Sequence, residues 1–494
     1  MSDGFRARCV MVLGTSSGAG KSWLATALCR WYARKGLKVA PFKAQNMSNN
    51  ARVVAGGEIG SAQYFQALAA RAVPDPRMNP VLLKPEADDY SQVVLLGRAE
   101  PELSRRPWRQ RSATLWPVAA EALDQLRDEY DVVVIEGAGS PTEINLKDSD
   151  FVNMRVALRA KARALLVADI DRGGAFAHLY GTWMLLEPAE RALLAGFVLN
   201  KFRGDAKLLA PAPRMLQELT GVPTVATIPM VWDHGLPEED GFFMRRADTR
   251  GDAAKKTIAV VAYPRIGCLD EFQPLRNIPD VRLVWVRWPS ELADADWIVL
   301  PGSKNTADDL AWMRARGLDR AVCEAAASGR AVLGICGGLQ MLGEALIDPE
   351  HIEGNGAGLG LLPLVTRFET QKVLARKHAT FGELSGVWSA LSHVSVDGYE
   401  IHQGQTRDRA AQHPAMAAAG DVARAVLPND LGWQNGAGNV LGIYLHGLFE
   451  DPNALRALFG VSAPTLETVF DGLADCIETH FDKGVLDALI DSRR

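Results

Sequence analysis

The chain has 494 residues, 48% of them apolar, and a formal net charge of −5. At roughly 100–200 residues per domain, the length implies about two to four domains. Scattered Lys and Arg leave no basic face for nucleic acid, and no apolar run approaches the roughly 18 residues that membrane insertion needs.

The N-terminal segment lacks a signal-peptide cleavage pattern. The six cysteines, Cys9, Cys29, Cys268, Cys323, Cys336 and Cys476, form no CxxC pair. That usage argues against a disulfide framework or a zinc site and fits a cytoplasmic, reducing setting. The sequence leaves a homo-oligomer open.

In chain order, CVMVLG (9–14) reads as a buried strand, GTSSGAGKS (14–22) as a Gly-rich turn, and 22–36 as the helix that turn opens. Backbone N–H groups of such a loop cradle phosphates, and the helix N-terminus adds a favourable dipole. Gly14, Thr15, Gly18 and Gly20 would shape the loop, Lys21 would neutralise the β/γ-phosphates of ATP, and Ser22 would ligate Mg²⁺. The strict P-loop pattern places Gly at position 15, where this chain has Thr15; the shifted form resembles dethiobiotin synthetase-like P-loop enzymes. Lys43, in FKAQNMSNN (42–50), follows the second strand and is a candidate for a γ-phosphate or a substrate carboxylate. Glu58, in GGEIG (56–60), is a secondary candidate metal ligand.

DVVVIEG (131–137) is a further buried strand with Glu136 at its C-terminal end, where metal and phosphate meet in open α/β sheets; Glu136 is the second expected Mg²⁺ ligand. ALLVADI (164–170), GFVLN (196–200) and TVATIPM (224–230) continue the series, and Asn200 is placed to read a purine edge. Strands alternating with helices predict a doubly wound parallel sheet over residues 1–232. A polar stretch follows, with 233–256 as the linker. The alternation restarts at TIAVVAYP (257–264), so 257–451 reads as a second α/β domain and 452–494 as a helical tail.

In the second domain, AVLGICGGLQMLG (331–343) reads as strand, sharp turn and helix with Cys336 at the turn. A cysteine there is expected to be exposed, with the helix N-terminus favouring a negative sulfur. Gly337 would donate an N–H to an oxyanion, as would Gly302 in PGSKNTADDL (301–310). His446, ending the apolar run VLGIYLHG (440–447), is the expected acid/base partner, and His402 in GYEIHQG (398–404) competes for the role.

These segments together with GGEIG, MNPVLLKP (78–85), EGAGSPTEINL (136–146), ADIDRGGAF (168–176), NKFRGD (200–205) and YLHGLF (444–449) carry a resemblance to the cobyric acid synthase family over nearly the whole chain. The resemblance implies a dethiobiotin synthetase-like P-loop domain fused to a class I glutamine amidotransferase-like domain. It implies amidation of the b, d, e and g carboxylates of a corrin by ATP and ammonia drawn from glutamine. Cys336 would be the nucleophile and His446 its partner. Related glutaminases place Glu two residues after the histidine; here Leu448 stands there, which predicts a dyad rather than a triad. Leu339 replaces a usual aromatic residue, and IGCLDEF (266–272) replaces a more polar stretch.

Three other readings compete. A cobyrinate a,c-diamide synthase would use the same chemistry on an earlier corrin. An amidotransferase acting on a lipid-linked cell-wall precursor would usually be split between chains. A ParA-like nucleotide switch would carry an inactive glutaminase-like module, against which Cys336 and His446 both speak.

Overall fold

The apolar runs of the N-terminal half become strands buried on both faces, which is what a parallel sheet between two helical layers requires. The computed structural model describes residues 6–86, 90–232, 234–237, 255–409, 423–461 and 465–491. Contacts divide the chain into two units: 1–48, 54–236 and 465–494 form the first, and 49–53 with 237–464 the second.

In the first unit six strands lie in the order Thr224–Pro229, Leu194–Phe202, Arg163–Asp169, Arg8–Gly14, Val132–Glu136 and Val39–Phe42, all paired in parallel. The register sets Val12 beside Glu136 and Asp169 beside Asn200. The carboxyl ends of the strands therefore collect the loop after Gly14, Glu136, Asp169 and Asn200 at one edge, the position where open α/β sheets bind ligands. The helix Lys21–Arg34 follows the Gly-rich loop, and the helix Trp108–Glu129 precedes the Glu136 strand.

Residues 452–494, expected as one tail, are divided between the units. The helix Pro452–Phe459 belongs to the second unit and the helix Leu466–His480 to the first. Phe470, Leu473, Ala474 and Ile477 pack into one core with Leu24 and Leu28. Arg30 donates to Glu467 at 2.6 Å and to Asp471 at 2.8 Å. The chain then forms an antiparallel bridge from Phe481 to Ala226. Amphipathic periodicity reveals that such a helix has a buried face but not which core receives it.

The second unit has a seven-stranded sheet in the order Val281–Val286, Lys256–Val261, Trp297–Leu300, Ala331–Ile335, Val440–Ile443, Gly432–Gln434 and Arg424–Leu427. The first five are parallel and the last two antiparallel. A long antiparallel pair, Leu364–Thr380 with Ser395–Asp408, adds a smaller sheet. Of the expected linker, 234–237 and 255–256 are described; Lys256 opens a strand, and the rest lies outside the described residues. Among the described residues no helix is long and apolar enough to cross a membrane.

Candidate active sites

In the first unit, Gly20 adopts a left-handed conformation (φ +96°) at the start of the helix Lys21–Arg34. A Cβ there would lie 2.1 Å from Asn200 Nδ2, so glycine is required both by backbone geometry and by the close passage of Asn200. Asn200 Nδ2 donates to the Ala19 carbonyl at 2.9 Å. It thus braces the phosphate loop from the strand end where a purine edge was expected to be read. Lys21 folds back over Gly14, its Nζ donating to the carbonyls of Ser16 (3.0 Å) and Gly139 (3.1 Å). Gly18 is likewise left-handed, and its carbonyl accepts from Lys201 Nζ at 2.6 Å. Thr15 N donates to Val167 O at 2.9 Å, tying the loop to the neighbouring strand.

Glu136 is the centre of the polar cluster. Its Oε1 accepts from Ser22 Oγ and Lys43 Nζ, each at 2.8 Å, and its Oε2 from Gln66 Nε2 at 2.6 Å. Burial pushes its carboxyl up, but Lys43, Gln66 and Ser22 outweigh burial, and the group is held below the usual carboxylate range. The structure thus brings Ser22, Lys43 and Glu136 together. Glu58, fully buried, is instead paired with Lys84 at 2.8 Å.

A P-loop hydroxyl in contact with a strand-end carboxylate is a donor set that suits Mg²⁺ arriving with nucleotide phosphates and water. Among the described residues no group of three His, Cys, Asp or Glu side chains could hold a metal, so the phosphates would supply the remaining ligands. Gln66 lies outside every motif, and Lys201 stands inside NKFRGD (200–205) with no local signal to separate it from its neighbours. Lys201 also pairs with Asp169 at 3.0 Å.

In the second unit, the strand Ala331–Ile335 ends at Cys336, whose φ is +52° and ψ −107°, and the helix Gly337–Leu342 begins directly after it. A positive φ at a residue with a side chain costs on the order of 1–3 kcal/mol and marks a site held by its surroundings. The expected exposure is corrected: Cys336 is only 5% exposed, with Sγ against the Ile401 carbonyl at 3.8 Å. The turn is covered by the strand Ser395–Asp408, a tertiary partner that local sequence does not announce. Gly337 lies against Ser303, and Gly302 against His446, where added Cβ atoms would come within 2.8 Å of Ser303 N and 2.9 Å of His446 Cε1. Gly302 therefore packs directly against the histidine, and Gly337 against the residue that follows Gly302.

His446 is buried and stacked on Tyr399, with ring centroids 5.2 Å apart and planes 19° apart. Its Nδ1 lies 3.1 Å from Glu271 Oε1, and Gly447 N donates to Glu271 Oε2 at 3.1 Å. Burial pushes the imidazolium down, but Cys268, Glu271 and Cys336 outweigh burial and hold its pKa well above the ordinary value. The expected dyad therefore acquires a third member. Leu448 is core, and the carboxylate comes from the turn Leu269–Phe272 instead. The clue in the sequence was a pair of acids inside the apolar stretch IGCLDEF, where all four residues 269–272 are buried. His402 has both ring nitrogens engaged, by Gly404 O at 2.7 Å and Glu400 Oε1 at 3.0 Å, and is stacked on Tyr444. Neither of these hydrogen-bond partners is Cys336.

Residues 10–241 match the family described as the CobQ/CobB/MinD/ParA nucleotide binding domain, and residues 257–454 the CobB/CobQ-like glutamine amidotransferase domain. Curated relatives are similar from end to end. A cobyric acid synthase of Polaromonas sp. (strain JS666 / ATCC BAA-500) is 67% identical, covering 99% of this chain and 99% of its own. One from Variovorax paradoxus (strain S110) is 69% identical over 98% of this chain and 99% of its own. One from Leptothrix cholodnii (strain ATCC 51168 / LMG 8142 / SP-6) is 62% identical over 100% and 99%.

Proposed function

The chain belongs to the cobyric acid synthase family of glutamine-dependent, ATP-using amidotransferases, and from that premise we propose how its two sites divide the reaction. The substrate is adenosylcobyrinic acid a,c-diamide, whose b, d, e and g carboxylates are amidated in turn. The observation that carries the reading is the Glu271–His446 pair buried beside the strained Cys336 turn, in a chain that also holds a P-loop of the shifted, dethiobiotin synthetase-like form. Similarity to cobyric acid synthases along the full length favours this substrate over an earlier corrin, and over a nucleotide switch with an inactive module.

A carboxylate is a poor electrophile, so the first unit activates it. A corrin carboxylate oxygen attacks the γ-phosphorus of ATP, ADP leaves, and an acyl phosphate forms. Lys21 neutralises the phosphates in that step, and Lys43, held by Glu136, supplies a second positive charge. Mg²⁺ bound with the nucleotide, held by Ser22 and Glu136, would contribute charge neutralisation on the phosphate oxygens. Ammonia then adds to the acyl carbon and inorganic phosphate leaves.

The second unit supplies that ammonia. Cys336 attacks the side-chain amide carbon of glutamine, Gly302 and Gly337 N–H groups receive the oxyanion, and His446 gives its proton to the departing ammonia. Glu271 fixes the tautomer that carries a proton on Nδ1, leaving Nε2 for that exchange. Water then hydrolyses the thioester to glutamate.

The test separates the sites. Cys336→Ala and Cys336→Ser should abolish glutamine-driven amidation, followed by corrin mass, while amidation driven by ammonium chloride at mildly alkaline pH persists. Full glutamine-driven activity in either variant, or loss of both activities in a folded protein, would disprove the division.

A further inference from the structure

Segment 49–53 is flanked on both sides by residues of the first unit, yet it is part of the second. It forms one wall of the turn that carries Glu271. Asn50 Oδ1 accepts from Leu269 N at 2.8 Å, and Ala51 O accepts from Cys268 Sγ at 3.8 Å. Arg52 is the only charged residue of this segment and is 3% exposed. Its guanidinium bridges two carboxylates: Nε donates to Asp270 Oδ2 at 2.7 Å and Nη1 to Glu450 Oε2 at 2.7 Å, and Nη2 reaches both groups.

Each carboxylate belongs to one half of the histidine–carboxylate pair. Asp270 precedes Glu271 in the same short turn. Glu450 closes the turn after His446, its N–H donating to Gly447 O at 2.9 Å, and Gly447 N is itself bonded to Glu271. Arg52 also lies over the Tyr399 ring, 5.2 Å from its centroid. Tyr399 stacks on His446 and exchanges both backbone hydrogen bonds with it, at 2.9 and 3.2 Å. Three lines of contact from one guanidinium thus converge on the same imidazole.

We propose that Arg52 is a positioning residue of the glutaminase: it ties the turn carrying Glu271 to the turn carrying His446 and so holds the pair in its working geometry. The proposal rests on the assignment of Cys336, His446 and Glu271 as the glutaminase centre. A buried ion pair is weak evidence for stability by itself, since desolvation offsets much of its attraction. What distinguishes this one is the forked geometry. Only a planar guanidinium spans two carboxylates at fixed angles, so a lysine does not replace it.

The consequence is read in the full-length chain as glutamate release. Arg52→Met should lower kcat for glutamine hydrolysis on the order of ten- to a hundredfold, the usual effect of a small misplacement of reacting groups, with KM changed less than about threefold. Arg52→Lys should recover only part of that loss. Because Arg52 acts through Glu271, adding Arg52→Met to Glu271→Gln should cost less than about threefold beyond Glu271→Gln alone, a non-additivity expected of groups that work as one unit.

A kcat within threefold of wild type in Arg52→Met would overturn the proposal, as would a fully additive double variant. If Arg52→Met does not fold, Arg52→Lys decides: kcat equal to wild type refutes the positioning role, and a partial loss with unchanged KM supports it. A wild-type chain that hydrolyses no glutamine would remove the site assignment itself, an outcome distinct from an active chain indifferent to Arg52.

Discussion

Replacing Glu271 with Gln is the most informative perturbation of the second site because the structure sets its size and its sign. The carboxylate makes two hydrogen bonds, to His446 Nδ1 and to Gly447 N, in a place from which water is excluded. An amide oxygen can keep one of them and cannot supply the charge. A hydrogen bond to a charged group contributes about 1.5–3 kcal/mol, which at ~1.4 kcal/mol per factor of ten is on the order of ten- to a hundredfold in kcat/KM for glutamine. If the amide instead turns its NH₂ toward Nδ1, the imidazole is forced into the wrong tautomer and the loss grows.

The pH profile gives the sign. Glu271 is one of the groups that hold the His446 pKa well above its ordinary value against the opposing effect of burial. Without its charge the imidazolium loses its proton at lower pH, so the alkaline limb of kcat/KM moves toward acid. The assay is glutamate release across pH, with ammonium-driven amidation in parallel as a check on the first unit. An unchanged alkaline limb together with unchanged kcat would refute the role given to Glu271.

Lys21→Ala should reduce amidation on the order of a hundredfold or more with glutamine and ammonium alike, because charge stabilisation in phosphoryl transfer is lost; near-normal activity with ammonium would refute the phosphate site. Glu136→Gln should raise the Mg²⁺ concentration needed for half-maximal amidation on the order of tenfold or eliminate turnover, with unchanged circular dichroism; an unaltered Mg²⁺ titration removes Glu136 from the ligand set. Asp309, buried against Ser303 Oγ at 2.6 Å and Arg265 N at 3.1 Å, is pushed up by burial from an ordinary 3.8 to about 7. The folded chain therefore holds this proton where the unfolded chain has lost it, so this group's contribution to stability falls as pH rises from near 4 to near 7. At ~1.4 kcal/mol per pH unit the fall is at most about 4 kcal/mol. Asp309→Asn should flatten that part of the Tm profile, and an equal slope in both proteins would contradict it.

The P-loop, the Cys336 turn and the two-part α/β organisation were legible in the sequence because each is a local pattern. A buried parallel strand needs a continuous apolar run, a phosphate loop needs glycines before Lys-Ser, and a sharp turn at a strand end needs small residues around the cysteine. The pairings across the chain were not legible, because they depend on which distant segments share a core. Sequence separation is 175 residues between Glu271 and His446, and 218 between Arg52 and Asp270. The acids in IGCLDEF read as a departure from a family pattern until the fold buried them beside the imidazole. The bond from Asn200 to Ala19 was likewise not legible, because only the parallel register of its strand delivers it beside the phosphate loop. Local chemistry wrote the two motifs and set Glu136 at its strand end; the packing of sheets and turns chose Glu271 as the carboxylate beside His446.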